Sequence, residues 1–270
     1  MRTACTVLRS PLAEPIRRFL ATKRALNRRF DTEEKALHLL DRHLSERGVV
    51  HLEDVTPAVV EAFLTSRPRQ RPRSYNHLLG VLRRLFDWMV DQGMLVTSPL
   101  RLRSRRETAR RIPYLFDLPH ACRLIEIAAA LPDNNRATHR GTTYATIFAL
   151  LYGLGLRVGE VARLTLADID LSRRLLVIRG TKFGKNRLVP FGPRVGKTLD
   201  GYLALRRAQN KRLAGAAPLF SITGRRLCRQ QIGSVFRKLW PDIGLSLPLG
   251  ASPPRAHDLR HYAGWRIMPS

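Results

Sequence analysis

His257-Asp258-Leu259-Arg260-His261 is the stretch on which the reading of this chain turns. A histidine and an arginine three residues apart share one face of a helix, and such a pair can hold one phosphate from two sides. The two histidines, four apart, also have the spacing of a helical zinc pair, with Asp258 where such motifs place a glutamate. No third ligand is evident, because Cys5, Cys122 and Cys228 are remote from the box and from one another, so no metal is expected. Three scattered cysteines also argue against a disulfide framework and fit a reducing cytoplasm.

Two further stretches upstream carry chemistry. In Gly153-Leu154-Gly155-Leu156-Arg157-Val158-Gly159-Glu160 the two glycines allow a sharp turn that delivers Arg157 to a helix start. Glu160, one turn on, is placed to steady its guanidinium. Alone, such a turn with an i,i+3 ion pair is more often structural. Next, Leu175 to Ile178 and Leu188 to Phe191 are short β-prone runs flanking a polar tip, Gly180 to Arg187, which predicts a hairpin. The tip carries Lys182, Lys185 and Arg187, the pattern of a solvated basic hairpin or of one that meets a polyanion.

The charge favours the polyanion. The 270 residues hold 48 Lys and Arg against 21 Asp and Glu, a net charge of +27. Arginine and lysine displace counterions condensed on phosphates, so nucleic acid explains this surplus better than an acidic membrane or mere solubility. No apolar run approaches the roughly 20 residues of a membrane span, and no secretory core follows Met1. Residues 1 to 30 hold eight basic residues and one acid, a bias that a mitochondrial transit peptide shares. A DNA-facing arm is preferred, because basic clusters continue along the whole chain.

Four helices are predicted before residue 100. The first is basic, from about Pro15 to Phe30. The second starts at Asp31 and Thr32 as N-caps, carries Ala36, Leu37, Leu40 and Leu44 as one apolar stripe, and ends at Gly48. Thr56-Pro57 opens the third, and Ser74 begins a fourth with Leu78, Leu79, Leu82, Leu85, Phe86 and Met89 inward. Arg101, Arg103, Arg105, Arg106, Arg110 and Arg111 then mark a basic linker over 101–111, read as a strap along DNA backbone. Beyond it the pattern is mixed, with helices near His120 to Leu131, Thr138 to Tyr152, Pro193 to Leu213 and Cys228 to Leu239 around the hairpin. The expected fold is therefore mainly α with a small β-hairpin or sheet: a helical domain over 1–100 and an α+β domain over 112–270.

Taken together, in this order and behind a basic helical domain, the three stretches resemble the tyrosine recombinases, the phage-integrase family. The resemblance covers nearly the whole chain. It implies an N-terminal core-binding domain that clamps DNA and a catalytic domain that cuts and rejoins it through a phosphotyrosine, without a cofactor. Arg157 and Arg260 match the family's two arginines at the scissile phosphate, and His257 the histidine that assists proton transfer. Aligned on the Lys-x-Arg-x-Val-Pro part of the hairpin, the catalytic lysine falls on Lys182, leaving Lys185 and Arg187 as phosphate contacts. Double-stranded DNA is the implied partner, with a homo-oligomer on it that is tetrameric in intact relatives; a type IB topoisomerase shares the chemistry and is a less favoured reading.

The sequence also departs from the family. There the histidine–arginine box is followed by further helices bearing a second His or Trp and then the attacking Tyr, whereas ten residues follow Arg260 here. The chain is accordingly expected to be truncated before its nucleophile and inactive alone. Tyr262 is not a candidate, since it lies on a side of the helix set away from His257 and Arg260. The alternative expectation is a non-catalytic DNA-binding protein acting at recombination sites.

Overall fold

The computed structural model describes residues 7–26, 30–106, 111–135, 137–181, 185–210 and 214–261. They form two compact units, Met1–Arg110 and Arg111–Ser270, each with its own core. Among the described residues no helix is long and apolar enough to cross a membrane.

The first unit contains α1 (Ala13–Ala25), α2 (Asp31–Glu46), α3 (Pro57–Thr65) and α4 (Pro72–Asp91). Leucines recurring at helical spacing give α4 a continuous apolar face, and α1 and α2 pack on it. Phe19, Leu37, Leu40, Phe63, Leu82 and Phe86 are wholly buried between them. Buried Asp41 accepts the Arg9 and Ser10 backbone N–H groups and fastens the entering chain. Three boundaries differ from expectation. α1 ends at Ala25, and Phe30, with φ at 54°, precedes α2, so Asp31 is the first helical residue rather than a cap. Pro72 at the first-turn position starts α4 two residues before Ser74, because a proline there fixes φ and surrenders no hydrogen bond.

The second unit is built round α6 (Arg140–Gly153), which is buried on most sides. It lies against α5 (Leu118–Ala129), α7 (Val158–Val161), α8 (Pro193–Gln209) and a 3-10 turn at Asp258–His261. The α5–α6 approach is close: a Cβ added at Gly141 would lie 2.1 Å from the Ala129 carbonyl oxygen, so only glycine fits. Three short antiparallel strands, β1 (Ile169–Asp170), β2 (Leu175–Ile178) and β3 (Arg187–Pro190), follow in sequence order across one sheet. In the hairpin Ile178 pairs with Arg187, and Leu176 and Ile178 point into the core. α9 (Arg229–Leu239) completes the unit.

Because α6 touches both α7 and the Asp258–His261 turn, one buried helix sets the spacing between two motifs about a hundred residues apart in sequence. The fold is mainly helical with a small sheet, as expected.

Candidate active site

α6 runs through Gly153, and the reversal after it falls on Gly155, whose φ of 60° an L side chain would resist. Gly153 itself is helical, so one glycine of the two expected makes the turn. Buried Leu156 pins the next residue, and Arg157 then caps α7 in an extended conformation. Glu160, one turn on, folds back. Its Oε2 accepts the Arg157 backbone N–H at 2.8 Å, and its Oε1 accepts Arg157 Nη1 at 2.8 Å. Oε2 also accepts Arg187 Nη2, from the first residue of β3, at 2.8 Å.

The Glu160 side chain is 2% exposed while those of Arg157 and Arg187 are 46% and 41% exposed. The carboxylate is thus an interior anchor, and both guanidiniums keep open faces. Burial pushes the Glu160 carboxyl up, but the Arg157 backbone N–H, the Arg157 guanidinium and Arg187 together hold it below the usual carboxylate range. Arg260 stands in the same field. Burial, then Arg157 and Arg187, draw its pKa down, with Glu160 opposing. Two guanidiniums on one carboxylate, with a third in their field, leave a surplus of positive charge suited to a phosphate.

His257 lies at the edge of this cluster. Burial, then Arg260 and His261, lower its pKa from the ordinary 6.5, so the imidazole is neutral at pH 7. The box is a 3-10 turn rather than the expected α-helix, with the Arg260 N–H on the His257 carbonyl at 3.4 Å. Three residues per turn still align His257 with Arg260.

Other residues fix the supports. Asp168, buried at the foot of the sheet, accepts the Thr165 N–H and hydroxyl and, at 2.7 Å, Arg179 Nε. Burial raises its pKa, and Arg179 and Thr165 more than offset that, leaving it lowered. Arg179 and Arg163, which reaches the Gly180 carbonyl, tie the hairpin base to the Arg157 segment. Arg226 Nη1 donates to the Ala162 and Arg163 carbonyls just past α7.

Of the residues singled out in the sequence, Arg157, Glu160, Arg187 and Arg260 come together, with His257 beside them. Arg187, expected as a phosphate contact, is tied directly to the anchor. Lys182 and Arg110 lie outside the described residues, as does Tyr262. Lys185 is exposed, and its carbonyl accepts the Thr181 N–H and hydroxyl.

The basic linker divides. Arg101, Arg103, Arg105 and Arg106 are exposed residues of the first unit. Asn76 brackets the Arg105 backbone, and the Arg105 guanidinium lies 4.0 Å from the Tyr75 ring centroid and donates to the Arg69 carbonyl. Arg105 thus joins the patch at Arg67 to Arg73. Arg111, expected with the other linker arginines along DNA backbone, has its guanidinium on Asp258 and the Pro253 carbonyl. Sequence reasoning missed this pair and Arg226, whose partners lie far away along the chain.

Residues 123–269 match the model of the Phage integrase family. An integrase/recombinase of Sinorhizobium fredii is 31% identical over 93% of this chain and 80% of its own length. Tyrosine recombinase XerD of Mycobacterium tuberculosis is 31% identical over 83% of this chain and 73% of its own. Among solved structures, a lambda integrase dimer bound to a COC′ core site superposes with a TM-score of 0.62 at 19% identity, covering 94% of this chain and 88% of that one. The Tn1549 transposon integrase in complex with transposon right end DNA gives 0.64 at 16% identity, over 94% and 86%. The α-helical domain followed by a helical domain with a three-stranded sheet is the fold of these integrase structures. This chain belongs to the phage-integrase, or tyrosine recombinase, family.

Proposed function

We propose that this chain holds one phosphodiester of duplex DNA in the arginine-lined pocket for strand cleavage and rejoining in site-specific recombination. The observation that carries this reading is the pairing of Arg157 and Arg187 with a single buried carboxylate, with Arg260 within their electrostatic reach. When a phosphodiester is attacked, charge grows on its non-bridging oxygens, and guanidiniums already oriented stabilise that state more than the ground state. Arg157 and Arg260 take those oxygens. Glu160 keeps Arg157 and Arg187 fixed, which lowers the cost of reorganisation. Neutral His257 can accept and return a proton beside Arg260, and Lys182 is assigned as general acid to the departing 5′ oxygen.

The described tyrosines of this unit have other work. Tyr144, Tyr152 and Tyr202 are buried core residues and Tyr114 packs against the core. Burial pushes the hydroxyls of Tyr114, Tyr144 and Tyr202 up in pKa, the opposite of an activated nucleophile. Arg101, Arg103, Arg106, Arg110 and Lys185 are assigned to DNA backbone, with homo-oligomers assembling on that DNA in the cytoplasm. Support comes from relatives named as recombinases and integrases.

The test begins with duplexes enriched from a random pool by the wild-type chain. Each phosphate is then replaced in turn by a neutral methylphosphonate. One position should cost about tenfold to a hundredfold in affinity, the worth of one charged hydrogen bond. Arg157→Ala and Arg260→Ala should bind weakly and be indifferent to that same replacement. If no phosphate depends on these arginines, the reading fails.

A further inference from the structure

Asp258 sits between His257 and Arg260, yet its side chain is turned inward and is 0% exposed. It accepts the Arg255 backbone N–H at 2.9 Å and Arg111 Nη2 at 3.0 Å, both on Oδ2. The same Arg111 nitrogen donates to the Pro253 carbonyl. Arg111 thus grips the chain on both sides of residues 254–257, which lead into the box. The Arg255 guanidinium is 3.8 Å from Oδ1, beyond hydrogen-bond reach, and Oδ1 has no hydrogen-bond donor among the described residues. Arg111 is therefore the close counter-charge that offsets the burial of this carboxylate. An unpaired buried carboxylate is costly, so without Arg111 the turn must open to admit water.

We propose that Arg111 is a positioning residue of the active site, which acts through Asp258 to hold His257 and Arg260 against α6. Arg111, the last residue of the basic linker, is the first of the second unit, so the box is clamped by the residue at which the chain enters that unit. Its positive charge serves Asp258 rather than DNA backbone. The inference rests on the assignment of His257 and Arg260 to the phosphate pocket, but its test uses the free protein.

The experiment follows the imidazole of His257 by long-range proton–nitrogen NMR in histidine-labelled chain, its signal identified by loss in His257→Gln. In the native turn, burial keeps His257 below 6.5, while the charge of Asp258 pulls the other way. Asp258→Asn therefore separates two roles by sign. If Asp258 positions the box, opening of the turn hydrates His257 and its midpoint rises toward 6.5; if Asp258 is merely a nearby charge, its removal lowers the midpoint further. The expected results are a rise in Asp258→Asn and in Arg111→Ala, a smaller rise in Arg111→Lys, and no added rise when Arg111→Ala is placed on Asp258→Asn. Should Arg111→Ala not fold, Arg111→Lys, which keeps the charge, carries the test.

A fall in Asp258→Asn overturns the proposal. So does an unmoved midpoint in Arg111→Ala with the salt dependence of DNA affinity reduced by about one phosphate contact, which would make Arg111 a backbone strap. Loss of phosphate selectivity tests in Arg157→Ala bears on the proposed function alone, because no DNA is present in the titration.

Discussion

Two buried carboxylates in the second unit, Glu160 and Asp258, are both held by arginines, and the two clusters serve different ends. Around Glu160 the guanidiniums of Arg157 and Arg187 are nearly half exposed, so each is fixed on one side and available on the other. Around Asp258 the Arg111 guanidinium is 23% exposed and bonds protein through a single nitrogen. An arginine anchored by a carboxylate remains a ligand for phosphate only if a donor face stays in water. The anchor's depth is the same in the two clusters; the exposure of the cation decides.

The largest effect should come from breaking the Glu160 anchor. All three of its partners donate hydrogen bonds. In Glu160→Gln the amide NH2 must face at least one of those donors, whichever way it is flipped, and the charge that orders Arg157 and Arg187 is gone. A loss of about 3 kcal/mol in unfolding free energy is expected from charged hydrogen bonds of this kind. DNA affinity should fall with it. Denaturant unfolding beside binding measures both, and unchanged stability would mean that Glu160 is no anchor.

Arg187→Met should cost less, about 1 to 2 kcal/mol, because Glu160 keeps both bonds from Arg157. Its effect on DNA binding should exceed its effect on stability, since the exposed face of Arg187 is lost to phosphate and the hairpin loses its tie to α7. Were binding and stability to fall in proportion, Arg187 would be structural in the manner of Arg111.

How far these clusters could be read from sequence depends on separation along the chain. Arg157 and Glu160 are three residues apart, and a glycine turn followed by an arginine and a glutamate announces their pairing. His257 and Arg260 are legible for the same reason. The tie from Arg187 to Glu160 spans 27 residues and that from Arg111 to Asp258 spans 147, and nothing local distinguishes Arg111 from the other arginines of the linker. Helices were legible from leucine spacing, whereas their details were decided by weak local signals: a left-handed Phe30, Pro72 at a first turn, and a 3-10 turn at Asp258–His261.

Acidification should separate the clusters by a smaller margin. The Glu160 carboxyl lies below its ordinary value of 4.5 in the folded chain, so the unfolded chain binds more protons near that pH. Its stabilisation is complete above about pH 4.5 and is lost as pH falls through the lower folded value. His257 adds a second, milder slope. Its folded pKa is below 6.5, so the unfolded chain is again the better proton acceptor between the two values, and stability declines as pH drops below 6.5. Unfolding free energy followed from pH 8 to pH 3 should show both limbs, with the acid limb flattened in Glu160→Gln and the upper one flattened in His257→Gln. A profile in His257→Gln identical to wild type between pH 7 and pH 5 would remove burial as the cause of its neutrality.

The smallest effect tests the hairpin base. Arg179 pairs with buried Asp168 at 2.7 Å, but its own side chain is 62% exposed. In Arg179→Ala the Asp168 Oδ2 keeps the Thr165 N–H and hydroxyl, while Oδ1 loses Arg179 and must take water in its place. The cost should stay within about 1 kcal/mol, as for other solvent-facing ion pairs, and shrink with added salt. Arg179 thus stands at the far end of the series from Arg111. Both arginines meet a buried aspartate, but the Arg111 side chain is 23% exposed against 62% for Arg179, so water replaces Arg179 more readily. A loss in Arg179→Ala as large as that in Arg111→Ala would show that exposure of the cation does not govern what these pairs contribute, and the distinction between the Glu160 and Asp258 clusters would lose its physical basis.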